Sequence, residues 1–354
     1  MPSLVGSEMC IRDSIYTDTF YMKRKWIRWV SWILLTPIIL FVILMVLLYV
    51  PPVQNLLRRE VTAYASKATG MQIQVERIDL RFPLNLLVRG VEVIQQPDTL
   101  LSLESLNVRV QAWPLIKGKV EVDEVTLSRV AVNSADLMEG MNIKGVLGRF
   151  FLQSHGVDLS NELAVINQVE LSDTHVQLLM NDTTTTPKDT TASAPINWKV
   201  ALHQLKLKNV SFSMQLPADS MRMAAHIGEA AIDDAQADLK NQYYDLKKFL
   251  LSGTSVSYDT GTAQPAEGFD ASHIAVRDIR IALDSLLYKG RDMNAVIREF
   301  TMNERSGLSV TSLTGRAYSN DSVICVPGLK LNTPHSEIDL SAHTLSLIHI
   351  SEPT

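Results

Sequence analysis

Five segments of this chain repeat one pattern of apolar and polar positions. The pattern is apolar, polar, apolar, two polar, apolar, polar, apolar, with Val165, Ala201 and Ala275 at the first polar position of three copies. In chain order, the apolar positions are Ile73, Val75, Ile78 and Leu80; Val120, Val122, Val125 and Leu127; Ala164, Ile166, Val169 and Leu171; Val200, Leu202, Leu205 and Leu207; and Ile274, Val276, Ile279 and Ile281. Such alternation predicts strands with one face in an apolar environment and the other in water. Its recurrence predicts a long, repetitive β architecture rather than a compact catalytic domain.

The step across two polar residues predicts bent strands. The side-chain period of a strand is two residues, so a step of three would turn the next apolar residues to the opposite face. A β-bulge absorbs the extra residue and also bends and twists the strand. We therefore predict bulges at Asp123-Glu124, Asn167-Gln168 and His203-Gln204. Repeated bulges would curl an antiparallel sheet into a trough, although periodicity alone leaves open an ordinary antiparallel sheet covered by its own helices.

Residues 26–50 are mostly apolar and carry no charge except Arg28 near their start. About 20 helical residues cross the ~30 Å hydrocarbon core of a bilayer, so one transmembrane helix is predicted. Lys23, Arg24, Lys25 and Arg28 lie at its amino-terminal end, and the positive-inside rule therefore places the amino terminus in the cytoplasm. The apolar stretch is longer than that of a cleaved signal peptide, and no cleavage site follows closely, which favours an uncleaved anchor.

The rest of the chain divides into segments by pattern and composition. They are a helix at 53–70 ended by Gly70, a β block at 71–180 with a helical insert at 136–153, a flexible Thr-rich loop at 181–195, and a continuing β block at 196–344. The insert would either cover the sheet or contact bound lipid or membrane. The second block is less regular over 217–268, where a short helix is predicted at about 241–251.

The two ends of the chain look foreign to the protein. Residues 4–14 and 345–354 resemble translations of a transposon-type sequencing adapter, and such segments are excluded from fold reasoning. We therefore expect 1–21 to be a non-native leader and 345–354 a non-native tail. Residues 22–52 would hold the native start, a basic cytoplasmic stub and the anchor, and the chain would be an amino-terminal fragment.

Candidate chemistry is sparse in this sequence. The net charge of −5 does not favour nucleic-acid binding, which needs a basic stripe. No phosphate-binding loop, dinucleotide turn, nucleophile elbow or zinc-protease motif occurs, and the eight histidines show no metal-ligand spacing. His175, His203 and His273 fall at polar positions of the repeat and are expected to be solvated. We therefore predict no enzyme activity, cofactor or metal.

The order of these features resembles the AsmA-like superfamily, and within it the amino-terminal part of TamB-type proteins. The matching segments are the basic and apolar start at 23–50, Pro-Val-Gln-Asn-Leu at 52–56, Thr69-Gly70, the strand at 73–80, Asp-Thr-Leu-Leu at 98–101 and Gly-Lys-Val-Glu-Val at 118–122. The resemblance covers about residues 22–345 and is strongest before residue 133. It implies an inner-membrane protein of a Gram-negative bacterium that crosses the periplasm as an elongated β trough with an apolar interior. Such proteins are implicated in moving phospholipid to the outer membrane, and TamB-type members also in outer-membrane protein assembly.

Two functional hypotheses follow, and a periplasmic enzyme as a third would rest on size alone. In the first, an apolar groove conducts phospholipid and needs no catalytic residue. Its lining candidates are Ile73, Val75, Ile78, Leu80, Val120, Val122, Val125, Leu127, Val200, Leu202, Leu205, Leu207, Ile274, Val276 and Ile279. In the second, an anchored scaffold binds an outer-membrane barrel protein by pairing with exposed strand edges.

Overall fold

A computed structural model describes residues 50–81, 84–95, 98–111, 113–114, 121–134, 140–158, 162–180, 197–261, 263–340 and 344–346, with scattered positions between 35 and 46. Within that part of the chain, no helix is long and apolar enough to span a membrane. Most of the predicted span at 26–50, its basic flank at 23–25, the leader at 1–21 and the Thr-rich loop at 181–195 lie outside the described residues. Of the predicted tail, the description reaches only residues 345–346.

The helix predicted at 53–70 is confirmed as α1, Pro51–Thr69. Prolines at the first helical positions suit a helix start, because their missing N–H groups would have no intrahelical partner there. Gly70 follows with a φ of 73°, the left-handed conformation that glycine adopts at helix ends. Its N–H donates to the carbonyl oxygen of Ser66 at 2.9 Å and closes the last turn.

Most of the described chain is β-strand, and the strands form one long curved sheet of seventeen. They are β1 Gln72–Arg81, β2 Asn85–Gln95, β3 Asp98–Val110, β4 Val122–Asn133, β5 Met141–Asp158, β6 Leu163–Met180, β7 Lys199–Leu216, β8 Met221–Asp238, β9 Tyr243–Asp259, β10 His273–Lys289, β11 Asp292–Glu304, β12 Ser309–Val310, β13 Ser312–Ser319, β14 Val323–Cys325, β15 Leu329–Asn332, β16 Glu337–Leu340 and β17 Thr344–Ser346. A short 3₁₀ turn, Pro217–Asp219, joins β7 to β8.

The helices predicted at 136–153 and 241–251 are wrong, because residues 141–153 form most of β5 and residues 243–251 form part of β9. Both strands carry apolar residues on their two faces, such as Phe150 and Phe151 in β5 and Leu250 and Leu251 in β9. This composition hides the alternation and imitates helical spacing. Pairing with a neighbour on each side satisfies the backbone of both strands and overrides the local signal.

Neighbouring strands are consecutive in the chain from β1 to β11, and all of these pairs but one are antiparallel. The exception is β6–β7, which is parallel over its whole length, with Leu163 opposite Lys199 and Leu179 opposite Gln215. The purely antiparallel sheet that we predicted is therefore wrong, and the sheet is mixed. A parallel pair needs a crossover connection, and the segment after β6 is long enough to provide one.

The sheet is not covered by a second layer in the part of the chain that the structure describes. Its buried apolar residues are Ile78, Leu100, Leu103, Ala164, Ala230, Ala282, Ala295 and Val310, and none of the largest side chains is fully buried. The insert, which was predicted to be a helix that covers the sheet or contacts lipid, is a strand within the sheet over residues 141–153. An ordinary sheet beneath its own helices therefore does not describe this unit.

Candidate functional site: an open apolar face

Two unbroken rows of apolar side chains cross the sheet from β1 to β11. Residues that pair directly across neighbouring strands project from the same face of a sheet. The first, the Ile78 row, is Ile78, Val88, Leu106, Leu127, Phe150, Leu171, Leu207, Ala230, Leu251, Ile281 and Phe300. The second, the Leu80 row, is Leu80, Leu86, Val108, Val125, Leu152, Val169, Leu205, Ile232, Phe249, Leu283 and Ile297.

Two further rows extend the same apolar face. The Ile73 row is Ile73, Val93, Leu101, Val132, Gly145, Val176, Phe212, Ala225, Val256 and Val276, and it ends at Glu304 in β11. The Val75 row is Val75, Val91, Leu103, Val130, Leu147, Thr174, Val210 and Ile227. Thr174 is the polar member of this second row, and its hydroxyl donates to the Ser172 carbonyl oxygen at 3.2 Å, so its polar group is satisfied locally.

The predicted lining residues fall on this face. The four candidates of β1 are the first residues of the four rows. Val125 and Leu205 belong to the Leu80 row, and Leu127 and Leu207 belong to the Ile78 row. Val122, Val200 and Leu202 continue the face beyond the Leu80 row, Val276 belongs to the Ile73 row, and Ile274 and Ile279 flank Val276. Ile78 is buried and the other described candidates are half-buried. Val120 lies outside the described residues.

Six of the eleven strands that form the face were not identified by the repeat. These are β2, β3, β5, β8, β9 and β11, which contribute residues such as Val88, Leu106, Phe150, Ile232 and Phe249. The apolar run at residues 84–93 is visible in the sequence and could have indicated β2. In β5 and β9, apolar residues also lie on the opposite face of the sheet, so the sequence of these strands does not alternate between apolar and polar residues.

A line of residues left out of the strand ladders separates the Val75 row from the Ile78 row. This kink line consists of Glu76, Gly90, Glu104, Arg129, Gly148, Asp173, Asn209, Gly228, Gly253 and Asp278. Six of them have a φ between 47° and 60°, including the non-glycine residues Arg129, Asp173, Asn209 and Asp278. Because each strand has one unpaired residue at the kink line, the apolar side chains before and after the kink project from the same face of the sheet. In β1, for example, Glu76 and Arg77 are both exposed, whereas Val75 and Ile78 are not.

Polar side chains and glycines stabilise the kink line. Arg129 forms an ion pair with Glu104 on the adjacent strand, and the Asn209 side-chain amide donates to the Asp173 carboxylate at 2.8 Å. Where glycine stands opposite, the strands approach too closely for a side chain. A Cβ on Gly148 would lie 2.7 Å from Cβ of Asp173, and one on Gly228 would lie 2.9 Å from the Gly253 carbonyl oxygen.

The predicted bulges are confirmed at two of three places. Asp123 is an extra residue opposite β3, and Asn167 is an extra residue opposite β5. At His203 the predicted bulge is wrong. Asn167 in β6 and Asp234 in β8 lie beside His203 and are also unpaired, so the register is the same before and after this point. The kink is shared by the three strands, and His203 Nδ1 lies 3.0 Å from the Asp234 carboxylate.

The opposite face of the sheet carries charged residues together with apolar ones such as Phe151 and Leu250. Around the Ile78 row it presents the exposed side chains of Lys206, Lys208, Glu229, Arg280 and Glu299. Unbroken apolar rows occur on the first face, whereas charged residues interrupt the opposite face, so a hydrocarbon ligand is expected to favour the first face. Among the described residues, no group of three possible metal ligands occurs on either face.

The start of β10 is held by a carboxylate–histidine pair, which corrects the expectation that His273 is solvated. His273 is 7% exposed, and its Nδ1 lies 2.9 Å from the Asp270 carboxylate. Asp270 also accepts hydrogen bonds from the backbone N–H groups of Ala266 and Ser272 at 3.0 and 2.9 Å. These bonds favour the ionised carboxylate and lower the pKa of Asp270 from 3.8 to about 2, with the two backbone donors as the main cause.

This pair gives a pH-dependent prediction. Because the pKa of Asp270 is lower in the folded state, its stabilisation is complete above pH 3.8 and is lost as the pH falls toward 2. An Asp270→Asn variant should lose that part of the pH dependence and should be less stable than the parent near neutral pH. Hydrogen exchange at the start of β10, measured at several pH values, checks this, and equal acid sensitivity in the two proteins would contradict it.

The edges of the sheet are partly closed among the described residues. On β1, Arg58 Nη1 of α1 donates to the Glu76 carbonyl oxygen at 2.6 Å, and the Ile73 N–H donates to Ser66 Oγ at 3.1 Å. At the other end, β14 to β17 have only three or four residues each, and β16 carries Glu337 and Asp339. Short, charged edge strands disfavour strand addition.

Comparison with known proteins gives no assignment, since no family model matches the chain and no curated protein matches it. The described surface therefore has to be interpreted from its own chemistry. Its main feature is a continuous, uncovered apolar face that crosses eleven strands.

Proposed function

We propose that this chain is an inner-membrane-anchored periplasmic protein that provides an apolar path for phospholipid between the inner and outer membranes of a Gram-negative bacterium. The observation that supports this is the continuity of the Ile78 and Leu80 rows. With strands about 4.8 Å apart, rows of eleven strands extend over roughly 48 Å. That length is greater than the ~30 Å hydrocarbon core of a bilayer.

The proposed task is a physical one and needs no catalytic group or cofactor. An acyl chain in water costs about 25 cal/mol for each Å² of apolar surface. A face that is apolar along its whole length lowers this cost at each step of the passage. Because no second layer covers the face in the part of the chain that the structure describes, the polar headgroup can remain in water while the acyl chains contact the rows.

The proposed location depends on the apolar segment at 26–50 and on Lys23, Arg24, Lys25 and Arg28 before it. A single span with its basic end in the cytoplasm would place the sheet in the periplasm. The resemblance to the AsmA-like superfamily and its TamB-type members supports the same location. The alternative, a scaffold that pairs with a barrel protein through strand edges, has less support because long free edges are lacking among the described residues.

Photocrosslinking at two adjacent positions of β7 tests the proposal. A photoreactive residue at Leu207, in the Ile78 row, should capture phospholipid in cells, whereas the same residue at Lys206, on the opposite face, should not. The difference is expected because the two side chains leave opposite faces of one strand. Mass spectrometry of the adducts identifies what is bound. Capture of a barrel protein without lipid at Leu207, or equal lipid capture at both sites, would contradict the lipid path.

A further inference from the structure

The face opposite the apolar rows carries an open cavity across strands β6 to β10. The cavity has a volume of about 390 Å³. It lies between two rows of side chains that alternate along the strands with the Ile73 row. The main chain of the Ile73 row forms its floor, because the side chains of that row project from the other face of the sheet.

One wall of the cavity is a row of hydrogen-bonding side chains that five neighbouring strands place side by side. This His226 row is His175, Ser211, His226, Ser255 and Arg277. With strands about 4.8 Å apart, the row is roughly 19 Å long. The other wall consists of the small residues Ser213, Ala224, Ser257 and Ala275. The longer side chains of the His226 row therefore have room to reach over the cavity.

The contacts of the two histidines leave donors available to a ligand. The Gln177 side-chain amide lies 2.8 Å from His175 Nε2 and donates to it, so the neutral His175 ring carries its proton on Nδ1. Ser211 Oγ and His226 Nδ1 are 2.9 Å apart. If the hydroxyl donates, His226 Nε2 carries a proton, and if the ring donates, the Ser211 hydroxyl proton is free. Either arrangement provides one donor at this point of the row.

The charge of the cavity favours an anion at the Arg277 end. Within the described residues, no aspartate or glutamate lines the cavity, and Arg277 forms no ion pair. The carboxylate of the adjacent Asp278 accepts a hydrogen bond from the Asn303 side chain at 3.3 Å. A guanidinium matches the geometry of a phosphate and can bind it through two hydrogen bonds.

The rest of the His226 row suits the hydroxyl groups of a ligand. A serine hydroxyl both donates and accepts, and an imidazole can do the same through its two nitrogens. The row is also longer than one phosphate group, so a ligand that only contacts Arg277 would leave most of it unused. A phosphate attached to a polyhydroxylated body makes use of both parts.

We propose that this cavity binds a soluble sugar phosphate, with the phosphate at Arg277 and the sugar hydroxyls along Ser255, His226 and Ser211. The volume is in the range of small-molecule sites. A lipid headgroup is a poorer match, because its acyl chains would lie on the face that charged residues interrupt. The site is separate from the proposed lipid path and does not depend on it.

Calorimetric titration of the full chain in detergent micelles with glucose 6-phosphate, in phosphate-free buffer, tests the site. We expect saturable binding of one ligand per chain, and binding of glucose and of inorganic phosphate at least about tenfold weaker, because each lacks half of the contacts. Arg277→Gln should weaken glucose 6-phosphate binding by about tenfold or more, because it removes a charged hydrogen-bond donor. Arg280→Gln is the matched control. It removes the same charge from the same strand outside the cavity and should leave the affinity unchanged.

A second variant tests the hydroxyl contacts. Ser211→Ala should weaken glucose 6-phosphate binding and leave the binding of inorganic phosphate unchanged, because Ser211 is three strands away from Arg277. Equal loss in Arg277→Gln and Arg280→Gln would overturn the site and indicate attraction to the general charge of this face.

The comparison of ligands on the parent protein needs no variant to fold. Absence of glucose 6-phosphate binding would overturn the proposal, and equal affinity for inorganic phosphate would overturn the part assigned to the sugar. Neither result bears on the lipid path, which crosslinking at Leu207 measures separately.

Discussion

Replacing Val125 and Leu127 together by aspartate is expected to slow the passage of lipid across β4 roughly a hundredfold. These residues are the β4 members of the Leu80 and Ile78 rows. The two acids would interrupt the apolar path for one strand, about 4.8 Å, which corresponds to about four methylene groups of an acyl chain. At about 0.8 kcal/mol per methylene, the added barrier is about 3 kcal/mol, or roughly a hundredfold in rate.

The readout is lipid capture on the two sides of the altered strand. Photoreactive residues at Ile78 in β1 and at Leu207 in β7 should both capture phospholipid in the parent protein. In the variant, capture should persist on the side where lipid enters and fall on the other side. Unchanged capture at both positions would contradict a path along these rows.

The same strand offers a matched control. Thr126 and Ser128 alternate with the two altered residues and project from the opposite face. A Thr126→Asp and Ser128→Asp variant adds the same charge to the same strand and should leave capture at Leu207 unchanged. Loss of capture in both variants would indicate a general disturbance of the sheet instead of a blocked path.

A methyl group added at Gly148 is expected to destabilise the sheet by about 1–3 kcal/mol, the usual cost of overpacking. In Gly148→Ala the new Cβ would lie 2.7 Å from Cβ of Asp173 and 3.0 Å from the backbone oxygens of Ser172 and Asp173. Backbone atoms of a paired strand cannot move away without breaking the ladder between β5 and β6. A lower unfolding midpoint and faster hydrogen exchange in these two strands measure the effect.

Gly145, three residues earlier in β5, is the control for this prediction. A Cβ there would lie 3.4 Å from the His175 carbonyl oxygen, an ordinary contact, and would add one methyl group to the Ile73 row. Gly145→Ala should therefore leave stability nearly unchanged. Equal destabilisation in the two variants would contradict a special role for the kink line.

The sequence predicted much of the apolar face but only part of the sheet that carries it. The repeat of β1, β4, β6, β7 and β10 identified residues that the ladders join in common rows, because alternation along a strand reports its own two faces. The bulges at Asp123 and Asn167 were predicted for the same reason. The helix at 53–70 was predicted from its periodicity and from Gly70. Gly70 has a φ of 73°, which a residue without a Cβ adopts without steric strain.

The tertiary structure decided which strands are neighbours. It also decided whether each pair of consecutive polar residues in the repeat forms a bulge or a kink shared with the adjacent strands. Sequence periodicity does not report pairing partners, so it missed the parallel pair β6–β7 and assigned β5 and part of β9 to helices. At His203, three adjacent strands share one kink, and this depends on Asn167 and Asp234, which are distant in the chain. The alternation of polar and apolar residues thus determined that one face of each repeat strand is apolar. Only the cross-strand register determined that these faces join into a continuous surface, because register is a property of paired strands.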